Sequence, residues 1–432
     1  MNNCEITLRN GEYLYLPDYN IIANSAVKKL FYRSYVGKKI RIGNAKISPE
    51  IASANVKKVR QLIFEVTQNC NLNCHYCIYN DNYQHQRSKT QKNLDFNTAK
   101  KGLDYLRHLI IDRKDKSLVI GFYGGEPLIN FDVVKQIVEF TNLIFANWEL
   151  NFNITTNLTI LSEETLNYLV KNKFSVLVSL DGSKEIHDAH RTYPNGSGSF
   201  EKTFANLDLI KKNHPLFYRE RVRFSSIYSK DLSLMKLHDF FSGDGLVKEN
   251  PLRVKTVLES NTNYYSRFPV DKKNSRDEFQ DFFEIIKNKL KNKVKLVPFE
   301  SSMLSNLAKI TENLKSARFS TLAGTCCFDV RLYIDAIGSF HICEKMNPSF
   351  SFGDVWKGFD YKKMAEIVEN YIRNISDKCT TCWAMHLCNR CYINFAEDGK
   401  FVHNDSFCQK QKKSIVANLE RIIEWKEEGI DI

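Results

Sequence analysis

Residues 62–77 read Leu62-Ile-Phe-Glu-Val-Thr67-Gln-Asn-Cys70-Asn-Leu-Asn-Cys74-His-Tyr-Cys77. The first six, β-branched and aromatic, predict a strand. The rest is a short loop with cysteines spaced C-x₃-C-x₂-C. Three thiolates from one loop hold an iron–sulfur cluster through three of its irons. The fourth iron then lacks a protein ligand and is open to a small molecule, which makes it a place for chemistry. The competing reading is a zinc knuckle, which needs four ligands. His75 directly follows Cys74 and could hardly turn back onto the same ion.

Outward from this loop, the chain has 432 residues, enough for two or three domains with a large core. Hydrophobic residues make up 43% and aromatics 12%, a globular composition. No apolar run reaches membrane-span length, and the first residues lack the apolar core of a signal peptide. A cytoplasmic protein with no membrane partner is expected. Twelve cysteines in such a chain point to metal or cluster ligands rather than disulfides. The net charge of +12 raises the question of an anionic partner. Its lysines are scattered, with no compact basic stripe, so they read as a solvated surface and nucleic acid is not expected.

Apolar strand-like runs then alternate with amphipathic helical runs. Strands are predicted at 62–67, 118–123, 151–155, 175–180, 222–227 and 252–258. Helices are predicted between them at 98–111, 133–146, 163–171, 200–212 and 232–241. This pattern predicts an α/β fold of parallel βαβ units. Six units make an open, partial (β/α)6 TIM-like barrel with its chemistry at the strand C-terminal ends. The barrel is expected over 59–265. Residues 1–58 read as a small N-terminal unit, with strands at 5–8 and 13–16 flanking Asn10-Gly11 and a helix near 25–35. Residues 266–318 read as a helical linker, charged from 275 onward. A cysteine-rich unit over 319–432 holds eight of the nine cysteines outside the first loop. Cys4 reads as a small residue in a strand.

Each predicted strand end carries a polar or glycine-rich segment. Gly124-Gly125-Glu126-Pro127 follows the second, where two glycines would let a ligand approach the backbone and a carboxylate would bind an ammonium group. Thr155-Thr156-Asn157 closes the third. Ser179-Leu180-Asp181-Gly182 closes the fourth, followed by His187-Asp188-Ala189-His190-Arg191.

In this order, with the cysteine loop, these segments resemble the radical S-adenosylmethionine (SAM) superfamily. The resemblance implies that Cys70, Cys74 and Cys77 hold a four-iron four-sulfur cluster whose open iron is chelated by SAM. It implies that the Gly-Gly-Glu segment binds the SAM amino group and that Tyr76 lies beside the adenine. The region of Ser179 and Asp181 would contact the ribose, and Arg191 the SAM carboxylate, for which a planar guanidinium fork is suited. Thr156 and Asn157 join this cofactor-binding set.

The second half adds Gly338-x₄-Cys343, then Cys379-x₂-Cys382-x₅-Cys388-x₂-Cys391, then Cys408, with Cys326 and Cys327 upstream. This resembles the SPASM extension, a seven-cysteine domain holding two auxiliary four-iron four-sulfur clusters, for three in all. It departs from the usual pattern in having x₂ for x₃ between Cys388 and Cys391, and two leading cysteines for one. The resemblance assigns Cys379, Cys382, Cys388 and Cys408 to one cluster. It assigns Cys343, Cys391 and at least one of Cys326 and Cys327 to the other. Adjacent residues of an extended segment point to opposite faces, so one ligand is expected, Cys327 ahead of Cys326. Two C-x₂-C pairs are also good zinc ligands, which keeps a zinc ribbon in view.

The segments Phe122–Leu128 and Cys343-Glu-Lys345 look most like SPASM maturases of ribosomally made peptides. Reductive cleavage of SAM would give a 5′-deoxyadenosyl radical that abstracts hydrogen from a precursor peptide. A thioether or carbon–carbon crosslink would follow. The implied partners are a precursor peptide with a leader, read by the N-terminal unit, and an electron donor such as flavodoxin or ferredoxin. No general base is identifiable. The alternatives are a formylglycine-forming enzyme of the sulfatase-maturase type and a zinc-containing nucleic-acid-binding protein.

Overall fold

The computed structural model describes residues 6–17, 21–24, 30–32, 42–43, 47–315, 320–321 and 326–431. The expected strand of Cys4 lies outside them. The six expected strands form at β1 Gln61–Thr67, β2 Ser117–Gly124, β3 Glu149–Thr156, β4 Ser175–Ser179, β5 Val222–Tyr228 and β6 Leu252–Thr256. Each pairs in parallel with the next.

The sheet is wider than expected. β7 Arg331–Ile334, from the cysteine-rich unit, pairs in parallel with β1, and β8 Phe340–His341 pairs antiparallel with β7. The order is therefore β6-β5-β4-β3-β2-β1-β7-β8, and no pairing joins β8 to β6 among the described residues. The barrel is open. Leu332 and Ile334 belong to the same buried core as Leu62, Phe64 and Val66. Gly102 gives the reason this works. A Cβ there would lie 2.6 Å from Ile334 Cδ1, so only a bare backbone lets the helix Phe96–Ile110 ride over β7.

Alternation along the strands sorts the two faces. Leu118, Ile120 and Phe122 of β2, Val176 and Val178 of β4, and Val222 and Phe224 of β5 face the helical layer and are buried. The alternate residues, including Asn151 and Asn153 of β3, Ser179 of β4 and Lys255 of β6, line the concave face. That face is polar, as suits a barrel that encloses polar ligands rather than a packed interior.

The helices start where local capping dictates. Asp95 caps Phe96–Ile110 by accepting from the Thr98 amide at 2.9 Å, and Ser162 caps Glu163–Lys171 from the Thr165 amide at 3.1 Å. The 266–318 region contains the helices Lys272–Lys291, Pro298–Met303 and Ser305–Lys315.

The expected hairpin forms between Ile6–Leu8 and Tyr13–Leu16, through a 3₁₀ turn at Arg9–Gly11. It extends into a four-stranded antiparallel sheet with Ile21–Asn24 and Leu30–Tyr32. The expected helix near 25–35 is thus corrected at its described residues. Leu-Phe-Tyr is a good strand former, and its pairing to Ile21–Asn24 overrides any helical tendency. Tyr13 donates to Glu427 of the helix Asp405–Glu427, and Tyr15 meets Trp383 edge-on. No helix among the described residues is long and apolar enough to cross a membrane.

Candidate active site

The cysteine loop leaves β1 and is held from both sides. The Asn73 and His75 amides donate to the carbonyls of Thr192 and His190, at 2.7 and 2.9 Å. Asn71 Nδ2 donates to Thr159 Oγ1 at 2.7 Å, and Asn157 Nδ2 donates to Asn71 Oδ1 at 2.9 Å. The loop is therefore anchored to the end of β3 and to the end of the helix Lys184–His190. Cys70, Cys74 and Cys77 gather in one small cluster with Leu72, Tyr76 and Tyr264. Burial pushes the Cys70 thiol up to about 12 and raises that of Cys74. Thiolates in such a place call for a metal-bound counter-charge.

Gly124 and Gly125 have a purpose besides the one expected. A Cβ on Gly124 would sit 2.1 Å from the Thr67 carbonyl oxygen, and one on Gly125 2.0 Å from that of Asn69. The Gly125 and Glu126 amides donate to those same carbonyls at 2.8 and 2.9 Å. The glycines thus admit the root of the cysteine loop. It is the chain itself that approaches their backbone.

Glu126 is buried, and its carboxylate accepts from Thr156 Oγ1 and the Asn157 amide at 2.7 Å each and from the Leu128 amide at 3.1 Å. Burial raises its pKa, and these three bonds work the other way. Pro127 opens the 3₁₀ turn that presents the Leu128 amide. Thr156 and Asn157 therefore hold Glu126 in place rather than projecting freely into the concavity.

At the end of β4 a second buried group forms. Tyr76 donates its hydroxyl to Asp181, and Arg191 Nη1 donates to the Tyr76 oxygen at 2.8 Å. Arg191 Nη1 also lies 4.0 Å from Asp181 Oδ2, and Asp181 Oδ1 accepts from the Ile227 amide at 2.9 Å. Arg191 Nε is buried with no hydrogen-bond partner. Such a donor is costly to leave unmet, and a ligand carboxylate would meet it. His187 backs this site, its Nδ1 accepting from the Asp181 amide at 3.4 Å and its Nε2 bonding to Ser199 Oγ at 3.0 Å. Ser179 closes β4 half-buried on the concave face.

The structure also brings together residues that the sequence reading passed over. Glu65, in mid-strand, is buried and accepts from the Ala336 amide at 3.0 Å. Arg87 lies 3.9 Å from Glu65, 3.7 Å from Asp335 and 5.0 Å from the centre of the Tyr333 ring. His341 completes the group through a 2.8 Å bond to Asp335, and burial holds it down to about 4. Beside it, Tyr79 donates to the Glu344 carbonyl at 3.0 Å, linking the first loop to the segment of Cys343. The available signal was a single glutamate inside an apolar strand.

The remaining cysteines separate into two groups. Cys388 lies within electrostatic reach of Cys379, Cys382 and Cys408, and its thiol is pushed up by burial to about 12. Cys408 is in reach of Cys379 and Cys382. Cys391, three residues beyond Cys388, instead neighbours Cys326, and Cys343 neighbours Cys391. Arg331 faces Cys343, Cys326 and Cys391 together. Cys327 is near Cys326 and Tyr392, and its carbonyl accepts from Asn55 Nδ2 at 3.0 Å. Among the described residues no three His, Cys, Asp or Glu side chains close on a single ion-sized point, as a mononuclear zinc site requires.

Residues 64–218 match the family model of the Radical SAM superfamily. A cysteine-type anaerobic sulfatase-maturating enzyme of Clostridium novyi is 28% identical over 43% of this chain and 48% of its own length. The radical SAM cyclopropyl synthase TigE of Paramaledivibacter caminithermalis is 25% identical over 50% of this chain and 44% of its own. In fold, the chain resembles a structure of anSMEcpe with bound AdoMet. The TM-score is 0.63 at 20% sequence identity, covering 85% of this chain and 98% of that one. The chain spans about half the length of the curated relatives it matches. Residues 64–218 are a radical SAM domain, and the chain has the partial-barrel fold. The first loop lies inside that domain, and the zinc reading of it falls away. SAM and one four-iron four-sulfur cluster are the cofactors that domain implies.

Proposed function

We propose that the chain is a radical SAM peptide maturase that crosslinks a ribosomally made precursor. The observation that carries it is the joint placement of the cysteine loop, Glu126 and the Tyr76–Asp181–Arg191 group at one end of an open barrel. Cys70, Cys74 and Cys77 would hold the cluster. Glu126 would receive the SAM amino group, and Arg191 would meet the carboxylate with its unpaired Nε. Bound there, the cluster and SAM supply a radical able to take hydrogen from an unactivated carbon. The chain's own residues orient SAM, exclude water and hold the peptide across the polar concave face.

Two auxiliary clusters fit the two cysteine groups. Cys379, Cys382, Cys388 and Cys408 would take one. Cys343, Cys391 and Cys326 would take the other, with Cys326 in place of the Cys327 expected from sequence. The support is that Arg331 faces Cys326 together with Cys343 and Cys391. With three thiolates that cluster would keep an open iron for a substrate thiolate, which favours a thioether product. A precursor with a leader and a flavodoxin or ferredoxin are the partners this reading requires.

The relationship to sulfatase-maturating enzymes favours a second reading, oxidation of a Cys or Ser to formylglycine. One experiment separates the two. The chain is produced anaerobically with the short peptides encoded beside it, and the products are examined by mass spectrometry. Loss of two hydrogen masses, with no aldehyde captured by a hydrazide, is expected. An aldehyde product establishes the second reading. Undiminished 5′-deoxyadenosine from a C70A/C74A/C77A variant overturns both.

A further inference from the structure

Opposite the SAM-binding end of β4, the concave face carries more positive charge than the described residues neutralise. Leu252 and Val254 of β6 pack on the helical core, so Arg253 and Lys255 face the concavity. Lys255 pairs in register with Ile227, which packs against the cluster of Cys70 and Cys77 and donates its amide to Asp181. Lys255 is thus one strand away from the SAM site. On its other side stand Arg331 of β7 and the Cys343-Glu344-Lys345 segment.

Three cations, Arg253, Arg331 and Lys345, and one carboxylate therefore act on Lys255. That carboxylate, Glu344, lies 3.7 Å from Arg331, and its Oε2 is buried without a hydrogen bond. Arg331 and Lys345 also reach the thiols of Cys343 and Cys391, so cluster thiolates would offset them. Lys255 is half-buried, Glu344 is a favourable charge near it, and no ion pair among the described residues includes it or Arg253. Burial, then the repulsion of Lys345 and Arg253, lowers its pKa to about 8. Holding an unpaired ammonium there is unfavourable unless an anion arrives with a ligand.

We propose that Lys255, with Arg253 beside it, binds a carboxylate of the substrate peptide between the SAM site and the Cys343–Cys391 group. The inference rests on the peptide-maturase reading and adds a substrate feature to it: an acidic side chain or the free C-terminus, set near the carbon to be modified. Such a contact fixes the register of an otherwise extended peptide, which no apolar pocket on this polar face would do.

The test uses the reconstituted full chain with SAM and four fluorescein-labelled octapeptides of Ala, Gly and Ser. They carry one central Glu or Gln and a free or amidated C-terminus. Binding is read by anisotropy for the parent, K255M, K255R and K272M, the last removing one exposed helical charge elsewhere. At least tenfold tighter binding of a carboxylate peptide over its amide is expected in the parent, K255R and K272M, and a loss of that preference in K255M. The Glu/Gln pair and the free/amidated pair tell which carboxylate is read. Equal binding of acid and amide, no peptide binding, an unchanged preference in K255M, or weakened SAM affinity in K255M in its place overturns the proposal. Melting curves exclude a misfolded K255M, and K255R holds the test if it is. Formation of 5′-deoxyadenosine by the same preparations reports separately on the underlying reading.

Discussion

Arg191 donates to the hydroxyl of Tyr76 at 2.8 Å, 115 residues away in sequence. That bond ties the residue after the helix Lys184–His190 to the middle of the cysteine loop. Asp181 receives the Tyr76 proton, so strand end, helix end and loop move as one unit. The geometry that would receive SAM is built before SAM arrives, which limits the ordering cost of binding.

Arg191→Lys should weaken SAM binding by roughly 1–3 kcal/mol although the charge is kept. A lysine could keep a donor near Tyr76 and Asp181, which Nη1 alone now meets, but would have no Nε to offer beside it. Calorimetric titration of SAM into the reconstituted protein checks it, and equal affinities refute the role.

Gly125→Ala should displace the cysteine loop, because the new methyl would lie 2.0 Å from the Asn69 carbonyl oxygen. Backbone cannot yield as a side-chain tip does. The expected result is loss of roughly four irons per chain on reconstitution, the complement of one cluster. An unchanged iron count would show that the loop tolerates the shift.

Cys326→Ala and Cys327→Ala should differ. Cys326 shares Arg331 with Cys343 and Cys391. Iron content and Mössbauer spectra are expected to show a lost or altered cluster in C326A and the parent pattern in C327A. Loss in both would mean a closed, fully ligated cluster; loss in neither would remove this end from the cluster assignment.

Glu300 offers a test of stability against pH, away from the chemistry. It is fully buried and accepts from His238 Nε2 at 3.0 Å, Lys289 Nζ at 2.5 Å and the Val297 amide at 2.9 Å. Burial pushes its carboxyl up, but these bonds outweigh that and hold it below the usual range. A depressed folded pKa stabilises above the unfolded value, near ~4.3, and the contribution is lost as pH falls through the folded value. Glu300→Gln should therefore cost about 1–3 kcal/mol at neutral pH. In urea unfolding the gap to the parent should narrow below pH ~4. A gap that is constant with pH would assign the loss to packing.

Much of the fold was legible in the chain. The βαβ alternation placed all six strands of the barrel to within a few residues, because period-2 and period-3.6 patterns are local. Cys70, Glu126, Asn157, Asp181 and Arg191, which the strand ends put forward, do converge at the candidate site. The reason for Gly124 and Gly125 was not legible. It depends on which backbone arrives above them, and that is set by the pairing of β1 with β2.

By itself, then, the sequence determined the element types and the strand order from β1 to β6, both matters of spacing along one stretch of chain. Only the tertiary structure decided that β7 would cross from the cysteine-rich unit to widen the sheet. The same holds for the pairing of Glu65 with Arg87 and Asp335, for Cys326 facing Arg331 with Cys343 and Cys391, and for Lys255 being left among cations. Each of these is a contact between residues far apart in the chain. Its energy depends on distance and burial in the folded state, quantities that no local pattern of residues carries.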